Sequence, residues 1–276
     1  MVSRFRFALA AAALALAGIA FAAAPVAFVT DVQGEARVSG AGKVAFLAEF
    51  APMTTLVLEK GARVTLIYSA TGAEFALVGP GEFTIEAGEV RALKGAAPSR
   101  RNVAVRPDAT VVARVSQSAT ASIRMRSITP APKADPNILV YPRDTRISML
   151  QPTLRWSSEK GKAYAIAVSG ADGKEVWRGT ANAGSIKVGM KLSPGTHYKW
   201  SVSSGGTGLG EVRFETLPSE AIAKAEKSRA GAKSFSDRTV HAFVLHDLGA
   251  AQEAKDAWAA LYRERPDLPE LAALAK

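Results

Sequence analysis

Histidine is the side chain most ready for proton transfer or metal binding near neutral pH, and this chain has three: His197, His241 and His246. His197 alternates with Tyr198 and is expected to point outward from a strand. His241 and His246 are five residues apart in a helical stretch, whereas two ligands on one helix face want a spacing of four. Asp237 and His241 have that spacing and are expected to form a surface pair. No third ligand or base stands with them, so neither a metal site nor an acid–base site is expected. Glu82, Glu86 and Glu89 occupy strand or turn positions where carboxylates are normally solvated. Cysteine is absent, which excludes disulfides, thiol catalysis, thiolate metal sites and an acylated-cysteine anchor.

Gly205-Gly206-Thr207-Gly208-Leu209-Gly210 has the glycine density of a phosphate loop. Such a loop must lead into a helix whose first amides hold the anion. Here Glu211 to Glu215 alternates like a strand, so a hairpin loop is expected. No hydrolase, Walker or zinc-protease signature occurs, and no cofactor is expected. Trp156, Tyr164, Trp177, Tyr198 and Trp200 could stack on sugars, but most coincide with inward strand positions and read as core. Trp177, beside a turn, is the exposed member.

Charge is the remaining chemistry. The chain carries 35 basic and 25 acidic residues. Between Pro98 and Pro136, seven cations face only Asp108 and Asp135. Thr110 to Val115 and Ala121 to Arg126 both alternate, with Ser116-Gln117-Ser118 as a turn between them, so the pattern predicts a hairpin. Arg114, Arg124 and Arg126 would share its outer face and form the candidate anion-binding site. The alternative is a solvated polar face.

The elements that must position these residues begin with an export segment. Arg4 and Arg6 precede an apolar run from Phe7 to Phe21, and small residues follow, in the order of a secretory signal. The run is shorter than the roughly 20 residues that span a bilayer, so no stable transmembrane anchor is expected. Residues 1–22 form the signal, with cleavage after Ala22. Losing Arg4 and Arg6 leaves 33 basic against 25 acidic residues, a charge of +8. In the periplasm or outside the cell the anionic partners are wall polymers, acidic polysaccharides or lipid headgroups; nucleic acid is not expected.

Residues 25–128 read as a β domain, with period-two strands and frequent glycine turns. The run Val26 to Ala36, then Gly61-Ala62-Arg63-Val64-Thr65-Leu66, then Leu77-Val78-Gly79-Pro80-Gly81, resembles FecR-like domains. The resemblance implies a periplasmic β module. Residues 129–137 form a proline-rich, semi-rigid linker. Residues 138–217 form a second β domain. Asp172-Gly173 is a hairpin turn, and Leu192-Ser193-Pro194-Gly195-Thr196-His197-Tyr198-Lys199-Trp200-Ser201-Val202 is similar to fibronectin type III and related immunoglobulin-like sandwiches. That resemblance implies Trp156 as a core tryptophan and a Tyr198 hydroxyl bonded back to the backbone.

Residues 218–276 switch to a helical period. One helix opens at Pro218-Ser219-Glu220. A second is capped by Ser236 and stopped at Gly249, and a third runs from Ala250 to Arg265 before Pro266. The spacing resembles a single tetratricopeptide unit. Such a unit cannot bury its own face, so it must pack on the sandwich, self-associate or receive a partner. Leu245, Trp258 and Leu261 are its candidate partner-binding residues.

The fold class expected is therefore mainly β: two β domains and a short α-helical tail. The expected function is non-enzymatic: a periplasmic adaptor that binds an anionic cell-wall polymer or an envelope protein. The alternative is a periplasmic signalling input module that contacts a membrane receptor.

Overall fold

The computed structural model describes residues 24–125 and 138–276. The export segment, the linker at 129–137 and Arg126 lie outside the described residues. The chain is mainly β, with several sheets and a set of C-terminal helices.

The first unit pairs two antiparallel sheets. One has the order β3 (Glu49–Phe50), β1 (Ala27–Gln33), β5 (Arg63–Tyr68), β6 (Ala73–Val78), β9 (Ser99–Asn102); the other is β2 (Ala36–Val38), β4 (Thr54–Leu58), β7 (Gly81–Ile85), β8 (Val90–Lys94). Alternation sends Leu56, Leu58, Leu77 and Phe83 into one core. Strand β1 breaks the simple alternation: Ala27 to Thr30 are all buried. A strand is buried on both faces when each is covered, and a helical layer supplies the second cover.

The predicted hairpin at 110–126 is overturned. Residues Ala109–Met125 form helix α1. The buried positions Val111, Val112, Val115 and Ala119 follow a helical stripe rather than a strand face. The Asp108 carboxylate accepts the backbone N–H groups of Thr110 at 2.8 Å and Val111 at 3.3 Å, capping the helix. Valine at three core positions mimics strand composition, but the cap and the spacing decide for helix.

The second unit is a sandwich with its own core. Strands β10 (Leu139–Tyr141), β12 (Thr153–Trp156) and β15 (Ser185–Lys187) face a five-stranded sheet of order β11 (Thr145–Ile147), β17 (Thr207–Thr216), β16 (His197–Ser204), β13 (Tyr164–Gly170), β14 (Glu175–Ala181). Trp156, Tyr164, Tyr198 and Trp200 are buried, with Trp156 edge-on to Tyr164 at 5.7 Å. Trp177 is half-buried at the rim. The Tyr198 hydroxyl accepts the Ser193 N–H at 2.8 Å, fixing the chain's entry into β16. Tyr198→Phe is expected to cost about 0.5–1.5 kcal/mol, read by urea unfolding; a neutral result would show that water replaces this bond without loss.

Four helices complete the chain: α2 (Ser219–Gly231), α3 (Phe235–Asp247), α4 (Ala251–Glu264) and α5 (Pro269–Leu274). The cap of α3 is Ser234, not Ser236. Ser234 and Asp237 form a reciprocal capping box, while Ser236 turns inward. Gly249 at φ 77° ends the second helix where expected, because that backbone region suits glycine. The tail packs on its own chain. Phe243 of α3 meets Phe28 of β1 edge-on at 5.7 Å and Trp258 of α4 at 5.2 Å. Leu245, Trp258 and Leu261 are buried and are not free to receive a partner.

A buried polar network locks this layer to the first unit. Glu74 accepts two bonds from the Arg101 guanidinium and one from the Ser236 hydroxyl at 2.7 Å. Ser236 also bonds Thr30 at 2.7 Å, the residue bulged out of the β1–β5 register. Arg101 further pairs with Asp237 at 2.9 Å. On the other side, Glu253 of α4 accepts the Tyr141 hydroxyl at 2.9 Å and the Ser148 N–H at 3.0 Å, and Gln252 accepts the Arg143 N–H at 2.8 Å. The tail therefore clamps both β units.

Candidate functional site

Of the arginines singled out in the sequence, Arg126 lies outside the described residues, and Arg114 and Arg124 belong to a helix rather than to a strand face. Arg114 is exposed on α1. Arg124 follows ten residues later in the same helix, about 15 Å along the axis at 1.5 Å per residue. The shared strand face does not exist. The Asp237–His241 pair does not form either: Asp237 is held by Arg101 and Ser234, and His241 lies 3.2 Å from the Ser228 hydroxyl. Burial and the Arg229 charge hold His241 below the usual imidazole range. Burial and then Arg114 do the same to His246. Among the described residues no group of three His, Asp or Glu is placed to hold a metal ion. Gly205 and Gly206, both at positive φ, make the tight β16–β17 turn, which rules out a phosphate loop.

A different cluster forms on the outer face of the five-stranded sheet. Alternation along β16 buries Tyr198 and Trp200 and turns His197 and Lys199 outward; along β17 it buries Val212 and Phe214 and turns Arg213 and Glu215 outward. The register sets Lys199 opposite Arg213 and His197 opposite Glu215. Parallel pairing of β11 brings Arg146 beside Glu215. Gly249 and Ala251, at the start of α4, close one side. Together with Asp144 and Thr145 these residues line an open cleft of about 790 Å³, a size that suits a small ligand or a segment of a chain. The positive φ at Gly249 brings bare backbone beside Arg146, where an added Cβ would stand 3.7 Å from its Cδ.

The charges in the cleft are unevenly matched. Arg146 Nε donates to Glu215 at 3.1 Å, and Lys199 pairs with Glu211 at 3.3 Å. Arg213 makes no ion pair among the described residues. Like charges set directly opposite on paired strands are destabilising, and here only the exposed Lys199–Glu211 pair offsets the Lys199–Arg213 juxtaposition. An oxyanion between them would relieve the repulsion through charge-assisted hydrogen bonds.

Comparison with models of known protein families finds no match, and comparison with curated proteins finds none either. Among the described residues no helix is long and apolar enough to cross a membrane.

Proposed function

We propose that this chain is a non-enzymatic adaptor of the bacterial envelope, exported to the periplasm, that holds an anionic wall polymer in the cleft between the sandwich and the helical tail. The observation that carries the reading is the Lys199–Arg213 pair, two cations set opposite each other on an open face with Arg146 beside them. The FecR-like resemblance of the first unit and the immunoglobulin-like resemblance of the second support a periplasmic binding role. So does the signal-like order of residues 1–22. The tail acts as an internal clamp, holding the two β units as one body so that ligand on one is carried by the other.

The test is retention on immobilised polygalacturonate. The wild-type protein should bind at low salt and elute as salt rises, because exposed charges are screened over roughly 8–10 Å at physiological ionic strength. Lys199→Gln with Arg213→Gln should weaken retention at least tenfold. Thermal stability should hardly move, since the change removes both a like-charge pair and the exposed Lys199–Glu211 ion pair from the surface. Co-elution of variant and wild type would sink the proposal. For export, N-terminal sequencing of protein from the periplasmic fraction should begin at Ala23, give or take about two residues; an intact Met1 in the inner membrane would contradict it.

A further inference from the structure

We infer that Glu215, with Glu211 behind it, is a built-in competitor that occupies the cations of the cleft until a multivalent anion displaces it; this rests on the anion-binding reading above. Of the three cations, only Arg213 stands without a carboxylate among the described residues. Arg146 and Lys199 are each neutralised by an acidic residue of β17. These two pairs differ from the Arg101–Glu74 pair of the buried network. There the guanidinium grips both carboxylate oxygens, and Glu74 is 5% exposed. In the cleft, Glu215 takes a single bond from Arg146 Nε at 3.1 Å, and the Arg146 side chain is 55% exposed. The bond runs to Nε alone, so the Nη1–Nη2 edge of the guanidinium, a fork that fits carboxylate and phosphate, takes no part in the pair. An exposed, singly bonded pair is weak enough to be exchanged for a ligand.

The consequence is selectivity by charge number. A lone carboxylate gains Arg213 but must compete with Glu215 for Arg146 and with Glu211 for Lys199. A polymer presenting several anionic groups in succession can replace both internal carboxylates at once, because each later contact is intramolecular. The arrangement keeps single small anions out of the cleft while admitting an anionic chain. Glu215 and Glu211 are thus specificity-determining residues that repel the ligand they help to select.

The experiment is calorimetric titration of the mature protein with polygalacturonate and, separately, with monomeric galacturonate, for wild type, Glu215→Gln, Glu211→Gln and Arg213→Gln. Glutamine keeps the shape of glutamate, and Glu211 is exposed, so at least one of the two acidic variants retains the native fold; melting curves confirm it. Glu215→Gln is expected to bind the polymer roughly two- to fivefold tighter, the worth of one exposed ion pair, and to narrow the preference for polymer over monomer. Glu211→Gln should move in the same direction. Unchanged or weaker binding in both acidic variants would overturn the inference while leaving the cleft intact as a site. Binding by Arg213→Gln equal to wild type, or no binding by any form, would instead overturn the anion-binding reading and the inference with it.

Discussion

Trp258→Ala is expected to destabilise the mature protein by about 3–5 kcal/mol, the range for deleting a buried tryptophan. Trp258 is 1% exposed and stands edge-on to Phe243, which stands edge-on to Phe28. This ladder runs from α4 through α3 into strand β1, so a cavity at its end loosens the helical layer and the first β unit together. The Trp258 indole N–H is buried without a partner. Trp258→Phe therefore removes an unsatisfied donor as well as volume and should cost far less than the alanine change. Urea unfolding of both variants tests this. Equal, small losses of under about 1 kcal/mol would mean that the tail is not clamped through this ladder.

Arg101→Ala should cost about 3 kcal/mol, the low end for breaking a buried pair because the guanidinium keeps a solvent-exposed side. The change strands two carboxylates, Glu74 and Asp237, whose side chains are 5% and 6% exposed. Arg101→Lys should fall between, since an ammonium cannot grip Glu74 with a fork. The network also carries a pH signature. Burial alone would raise the Asp237 carboxyl, but the Ser234 N–H and the Arg101 guanidinium outweigh it and hold Asp237 below its ordinary 3.8. A depressed folded value stabilises the protein above the unfolded one, and that stabilisation drains away as pH falls through the folded value. The wild type should thus lose its advantage over Arg101→Ala below about pH 4. A gap that persisted undiminished under acid would show that Arg101 acts through packing rather than charge.

The sandwich was the most legible part of the sequence. Its turns are marked by Asp172-Gly173 and Gly205-Gly206, and its core by aromatics at alternating positions. These are local signals, read within a few residues. Helix α1 resembles a strand in sequence because Val111, Ala113 and Val115 satisfy a period of two as well as part of a helical stripe; the Asp108 cap and the buried Val112 and Ala119 separate the two. The cap of α3 is ambiguous in sequence for a similar reason: Ser234 and Ser236 are both capping residue types, and the box with Asp237 selects the former. The buried network was out of reach. Glu74 and Arg101 lie on strands, where charged residues ordinarily face solvent, and their partner Asp237 is brought in from the far end of the chain.

The cleft was hidden by a single irregularity. Counting back from the Ser204–Thr207 end of the β16–β17 hairpin opposes Lys199 to Val212. A bulge between Val202 and Ser203 shifts the register by one, so that Lys199 meets Arg213. One extra residue moves every later side chain to the opposite face, and its sequence mark is the Gly208 and Gly210 pair that flanks the unpaired Leu209. The same shift sets His197 opposite Glu215 and gathers the charged row.

That row also supplies the most direct test of the account. The chain's three histidines lie in separate surroundings: His197 in the cleft, His246 beside Arg114, and His241 between Ser228 and Arg229. Their imidazole C–H resonances can be followed by NMR while an oligogalacturonate is added at fixed pH and low salt. Ligand held in the cleft should shift the His197 signals in a saturable, salt-sensitive manner and leave those of His241 and His246 in place. Movement of His246 with His197 silent would put the anion on the α1 surface instead, and would contradict the cleft as the binding site.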